Sequence, residues 1–166
     1  SLNAQLLHNT QQQLGELQAQ FSTTAQGVAH SYSAALSRHE AASTDIKPIP
    51  PHIREQLLRW YDASVLDAVS YKISDDGQLN AANAMLQNPD IGAVTLIDII
   101  IFRTAEDAEQ NIALWAHELK HVQQYQEWGV GGFAQRYTAD FNAVEEPAYA
   151  IQIEVGRVLR EEATTE

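Results

Sequence analysis

The sequence predicts an α+β chain, mainly helical, with a small antiparallel sheet packed on one long helix and a second helix following it. Three observations carry this. Residues 94–102 are β-branched almost throughout, as a well-buried strand is. Ile112, Trp115, Leu119 and Val122 then step along an apolar stripe at helical spacing, and Ala148, Ile151, Val155, Val158 and Leu159 repeat that pattern near the end. At 166 residues and 45% apolar composition, one domain with a sizeable core is the default.

Taken in order, residues 1–26 are Gln-rich, with Leu7, Leu14 and Phe21 seven apart. They read as an amphipathic helix whose stripe packs on its own domain, docking on a protein partner being the alternative. A second helix is expected over 25–40, with Val28, Tyr32, Ala35 and Leu36 inward. His8, His30 and His39 have no paired ligand nearby in sequence and are expected at the surface. Pro48, Pro50 and Pro51 then remove backbone donors and favour extended chain. The boundary is therefore drawn between an N-terminal helical segment, 1–45, and a main domain, 46–166.

Within the main domain a helix is expected over 53–61, with Pro51 suited to its first turn. Residues 69–73 alternate apolar and polar as a half-buried strand does. Asp75-Asp76-Gly77 signals a turn, and 79–86 a short helix closed by Asn88-Pro89-Asp90. Residues 94–102 read as one strand beside 69–73. Thr104 has the character of an N-cap with Asp107 at N3, and Glu106, Asp107 and Glu109 suit a helix N-terminus. That helix is expected to run to 127 or 128, with Gly129 as its C-cap. Residues 129–132 read as a flexible connector, 133–137 as a short helix, and 143–162 as the last helix with Asn142 as cap.

Ten Lys and Arg against twenty-two Asp and Glu give a net charge of −12. Such a surface repels nucleic acid and anionic lipid, so neither is an expected partner. The absence of cysteine excludes thiolate metal sites, and any metal must be held by His, Asp or Glu. No uninterrupted apolar run is long enough to span a bilayer.

The chemistry concentrates in Trp115-Ala116-His117-Glu118-Leu119-Lys120-His121. Two histidines four apart on a helix share one face, and His117 and His121 can then reach one metal ion with Glu118 beside it. The pattern is H-E-x-x-H, in which the Glu is a general base rather than a ligand. A hydrolytic zinc site needs a third protein ligand. Glu145 or Glu146, 24 and 25 positions after His121, supplies it from a separate helix. Zinc so held brings the pKa of a water to about 7, and Glu118 would take that water's proton and pass it to a leaving amine. Tyr125, Tyr137 and Tyr149 are candidate donors to an oxyanion, with Tyr137 preferred for its place in the connector.

His117-Glu118-x-x-His121 with Glu145-Glu146-Pro147-Ala148-Tyr149 resembles the gluzincin branch of zinc metallopeptidases. More closely, four stretches resemble the bacterial zincin-like domain associated with extracellular contractile injection systems. They are Ile49-Pro50-Pro51-His52-Ile53-Arg54, Val69-Ser70-Tyr71, Val94-Thr95 to Ile101-Phe102, and 114–124. The resemblance spans about 46–152. It implies a zincin-like fold, zinc as cofactor, a peptide or protein substrate and a periplasmic or secreted setting. It also favours Glu145 as third ligand, since Glu145-x-x-Ala148 matches the family's E-x-x-A, with Glu146 as the fallback. In zincins the strand before the motif helix borders the cleft, so Ile99 and Ile101 are expected at the substrate edge. One position departs. Where gluzincins often carry an Asp that orients a histidine, this chain has Tyr149, which leaves Asp140 and Asn142 as candidates for that role. The competing reading is a non-catalytic zinc-binding module that docks to a secretion or toxin system through the N-terminal helix.

Overall fold

The computed structural model describes residues 1–74 and 92–165. Its elements are α1 (Leu2–Ala42), β1 (Lys47–Pro48), α2 (Pro51–Leu57), α3 (Ala63–Asp67), β2 (Ser70–Ile73), β3 (Ala93–Leu96), β4 (Ile99–Phe102), α4 (Ala105–Gln110), α5 (Ile112–Ala139) and α6 (Phe141–Thr165). The turn expected at 75–77, the helix at 79–86 and its close at 88–90 lie outside the described residues. The chain is mainly helical α+β, as expected. No helix among the described residues is long and apolar enough to cross a membrane.

The sheet is mixed rather than antiparallel. Its order is β1-β2-β4-β3, with β2 parallel to β4 and the other two pairs antiparallel. The difference arises because 94–102 is not one strand but a hairpin. Leu96 pairs with Ile99 across the two-residue turn Ile97-Asp98, which sends β4 back alongside β2. Ile97 takes φ 64° there, the left-handed conformation that two-residue hairpins use. A β-branched residue resists that conformation, and no glycine or asparagine marks the turn, so the run reads as continuous.

Both faces of this hairpin are covered. Ala93, Ile100 and Phe102 join Trp115, Ala116, Leu119 and Val122 of α5 in the main core. Val94, Leu96, Ile99 and Ile101 face the other way, against Ala34 and Ala41 of α1. Burial on two sides explains why the run is apolar on both faces, with Thr95 and Asp98 as its polar positions.

Residues 2–42 form one helix, not two, and its inward face is the reverse of the expected one. Val28, Tyr32 and Leu36 are 62%, 70% and 46% exposed, and Leu7, Leu14 and Phe21 also face outward. The inward stripe is Gly27, His30, Ala34, Arg38 and Ala41, spaced three or four apart along one helix face. Small residues let the α1 backbone come close to its neighbours. A Cβ added at Gly27 would collide with the Gln135 amide of α5.

Thr104 caps α4 as expected, accepting from Asp107 N at 3.1 Å. The helix then stops at Asn111, whose side chain caps α5 by accepting from Leu114 N at 3.0 Å. Gly129, at φ 74°, ψ 171°, kinks α5 without ending it, and residues 130–139 continue as its second limb. This limb replaces the expected connector and short helix. Asp140, not Asn142, caps α6, accepting from Ala143 N at 3.2 Å. The motif-bearing part of α5 is fixed by Tyr61, whose hydroxyl donates to Ala116 O at 2.6 Å, and by Trp115 Nε1, which donates to Ala108 O at 2.8 Å.

Candidate metal centre

One turn of α5 separates His117 from His121, and their ring centroids lie 5.2 Å apart. Glu145 enters from near the N-terminus of α6, where a carboxylate is favoured by the helix dipole. His117 Nε2 lies 3.2 Å from Glu145 Oε2, and His121 Nε2 lies 3.2 Å from Glu145 Oε1. The three residues are buried, and each offers a ligand atom within 4.8 Å of the others. They are close enough to bind one metal ion. Glu146 is exposed and is not part of this group.

The donor set fits an ion rather than a hydrogen-bonded cluster. Among the described residues, His121 Nε2 and both Glu145 oxygens are buried without a hydrogen-bond partner, although they lie at 3.2 Å. Atoms that close and that poorly aligned converge on a common point instead of on each other. Burial by itself would raise the Glu145 carboxyl, but the two imidazoles hold it at about 2. Burial likewise pulls His121 down, and the carboxylates of Glu145 and then Glu118 more than reverse it. The set therefore presents a carboxylate to a cation.

Two glutamines orient the imidazoles. His117 Nδ1 lies 2.8 Å from Gln152 Oε1, and His121 Nδ1 lies 2.8 Å from Gln124 Oε1. Gln124 Nε2 donates to Val144 O at 3.0 Å. That bond turns the amide oxygen toward His121, so Nδ1 carries the proton and Nε2 keeps its lone pair for a metal. Neither Asp140 nor Asn142 takes this role. Tyr149, at the departing position, packs its ring edge-on to His117 at 4.6 Å. Gln124 sits three residues after His121 and Gln152 seven after Glu145, which are helical spacings that point to these partners once the ligands are known.

Glu118 is fully buried beside the histidines. Thr95 Oγ1 lies 2.8 Å from Glu118 Oε2 and 3.1 Å from the Glu118 carbonyl oxygen, so its hydroxyl fixes the carboxylate against β3. The alternation of the hairpin places Thr95 on the α5 face, among apolar neighbours, where only a polar partner accounts for it. Ile99 and Ile101 lie on β4, an inner strand, with side chains buried under α1. The sheet edge nearest the motif is β3.

A cavity of about 10 Å³, enough for an ion or one water, adjoins the ligands. Its walls are His30, Thr95, His121, Tyr125, Phe133, Tyr137 and Glu145. The second limb of α5 supplies Phe133 and Tyr137. The hydroxyls of Tyr125 and Tyr137 are buried without a hydrogen-bond partner among the described residues, and burial pushes both phenols far up, so each stays a proton donor. His30, expected at the surface, comes instead from α1, with its ring 5.2 Å from Tyr137 and 6.2 Å from Phe133. A separate groove of about 460 Å³ runs along α6 past Tyr149 and Ile153 and reaches Glu145 from another side.

Fold and site together define a mainly helical α+β domain around a buried His-His-Glu group able to hold a metal. The family model of the eCIS core domain matches residues 48–129, just under half of the chain. That match supports the resemblance to the domain associated with extracellular contractile injection systems, and it runs from the end of β1 to the kink of α5. It includes His117, Glu118 and His121 but not Glu145. No curated protein and no solved structure matches the chain.

Proposed function

We propose that the protein is a zinc-dependent peptidase of gluzincin type. The observation that carries the reading is the joint placement of Glu118 beside His117, His121 and Glu145, with its carboxylate fixed by Thr95. Two imidazoles and a carboxylate suit zinc. When bound, zinc would polarise a substrate carbonyl and bring a water's pKa to near 7.

The chain's own residues do the rest. His117 and His121 bind through Nε2, with Gln124 holding His121 in that tautomer and Gln152 facing Nδ1 of His117. Glu145 binds through its carboxylate. Glu118 takes the proton of the attacking water on its carboxylate and delivers it to the leaving amine nitrogen. Tyr137 donates its hydroxyl to the oxyanion that develops on the scissile carbonyl. Peptide substrates, and zincin-like membership of the domain at 46–166, belong to the same proposal.

Elemental analysis of the zinc-incubated chain is expected to give about one zinc per chain. Glu118→Gln is expected to keep that zinc and lose peptide hydrolysis. Cleavage by the variant at the parent rate would overturn the mechanism.

One observation favours a second reading. The ligands and Glu118 are each at most 3% exposed, which suits a zinc that clips α5 to α6 and catalyses nothing. Under that reading, removing the metal lowers the melting temperature, and a broad peptide screen finds no activity to lose.

A further inference from the structure

The ligands are deeply buried, and α1 borders the small cavity beside them. His30 stands in the wall of the small cavity together with His121 and Glu145. Both of its ring nitrogens are buried and have no hydrogen-bond partner among the described residues. An imidazole held that way is expensive to bury, and the buried residues of its helix, Gly27, Ala34 and Ala41, are all small. The inward face of α1 offers the sheet only Ala34 and Ala41 as buried side chains, and Gln135 Nε2 donates to Thr24 O at a long 3.3 Å. Arg38 of α1 forms a forked ion pair with Asp98, at 2.6 and 3.1 Å, between side chains that are both more than a third exposed. This pair clamps the helix to the tip of the β3–β4 hairpin. Next to it lies β3, the sheet edge whose Thr95 holds Glu118.

We propose that the C-terminal part of α1, from Gly27 to Ala41, is a displaceable plug in cis. When it is seated, His30 stoppers the cavity that leads to His121 and Glu145. When it swings away from the Arg38–Asp98 clamp, it opens that cavity and the neighbouring sheet edge to an extended peptide. The plug rests on the metallopeptidase reading for its biological use, but its test does not.

Three full-length proteins decide it: the parent, Arg38→Asp, and the swap Arg38→Asp with Asp98→Arg. Two rates are read in each. One is the withdrawal of zinc by the chelator 4-(2-pyridylazo)resorcinol. The other is carbethoxylation of His121 in the metal-free chain by diethyl pyrocarbonate, located by peptide mapping. Replacing an attraction by a repulsion at a partly exposed pair is expected to raise both rates on the order of tenfold. The swap is expected to return them toward the parent's.

Ala34→Glu, which places a carboxylate in the fully buried contact, is a second opener. It is expected to exceed Arg38→Asp if its circular dichroism stays native, and if it fails to fold the charge pair decides alone. Equal rates in the parent, Arg38→Asp and the swap would overturn the plug and make the groove along α6 the route in. A parent chain that takes up no zinc overturns the metal reading instead, and the His121 modification still decides the plug.

Discussion

The hairpin β3–β4 is covered on both faces, and the two covers differ in kind. Against α5 the packing is aromatic and bulky. Trp115 is fully buried, with its ring 4.7 Å from Phe102 and 5.4 Å from Tyr71, and Leu119 and Val122 fill the remainder. Against α1 the helix presents two alanines and a charged residue at its rim. A large aromatic buries roughly 150–250 Å², whereas an alanine methyl contributes on the order of 0.8 kcal/mol. The first face holds the fold together. The second lays a helix over it through small side chains and one partly exposed ion pair.

Breaking the strong face should have the largest effect. Trp115→Ala is expected to cost about 3–5 kcal/mol of unfolding free energy by leaving a cavity where three rings meet, measured by urea denaturation. Thr95→Val comes next. It strips the Glu118 carboxylate of a hydrogen bond worth about 1.5–3 kcal/mol, and hydrolysis should fall by tenfold or more while zinc content stays near one per chain. Gln124→Leu frees the His121 ring to turn, and zinc affinity by chelator competition should drop roughly 10–100-fold. Arg38→Ala, on the weak face, should change global stability by less than about 1 kcal/mol. A cost comparable to that of Trp115→Ala would erase the distinction between the two faces.

The parts of the molecule legible in the sequence were those where residue type and period agree. His117, Glu118 and His121 need only a helix to converge, and Glu145 needs only that a second helix return to the first. Thr104 declared its cap through Asp107. What stayed hidden followed from residues acting against their type. Ile97 turns a hairpin in a conformation β-branched residues avoid, so two strands read as one and a mixed sheet as an antiparallel one. The inward face of α1 is built from Gly27, His30 and Ala34, while its large apolar residues face outward, which inverts the usual amphipathic reading. The orienting groups are glutamines rather than the acids the resemblance suggested, and an amide carries no charge signature in a sequence.

The length of α1 has a mechanical consequence. At 1.5 Å per residue a helix of 41 residues is about 60 Å long, and residues 1–22 are exposed throughout. Roughly 30 Å of rod therefore stands clear of the domain. A sideways load near Leu7 acts on the Arg38–Asp98 clamp with an arm of roughly 45 Å, and the helix's own hydrogen bonds carry it there. The outer stretch of α1 thus works as a lever on the clamp, with His30 on the same side of it and only about 12 Å away.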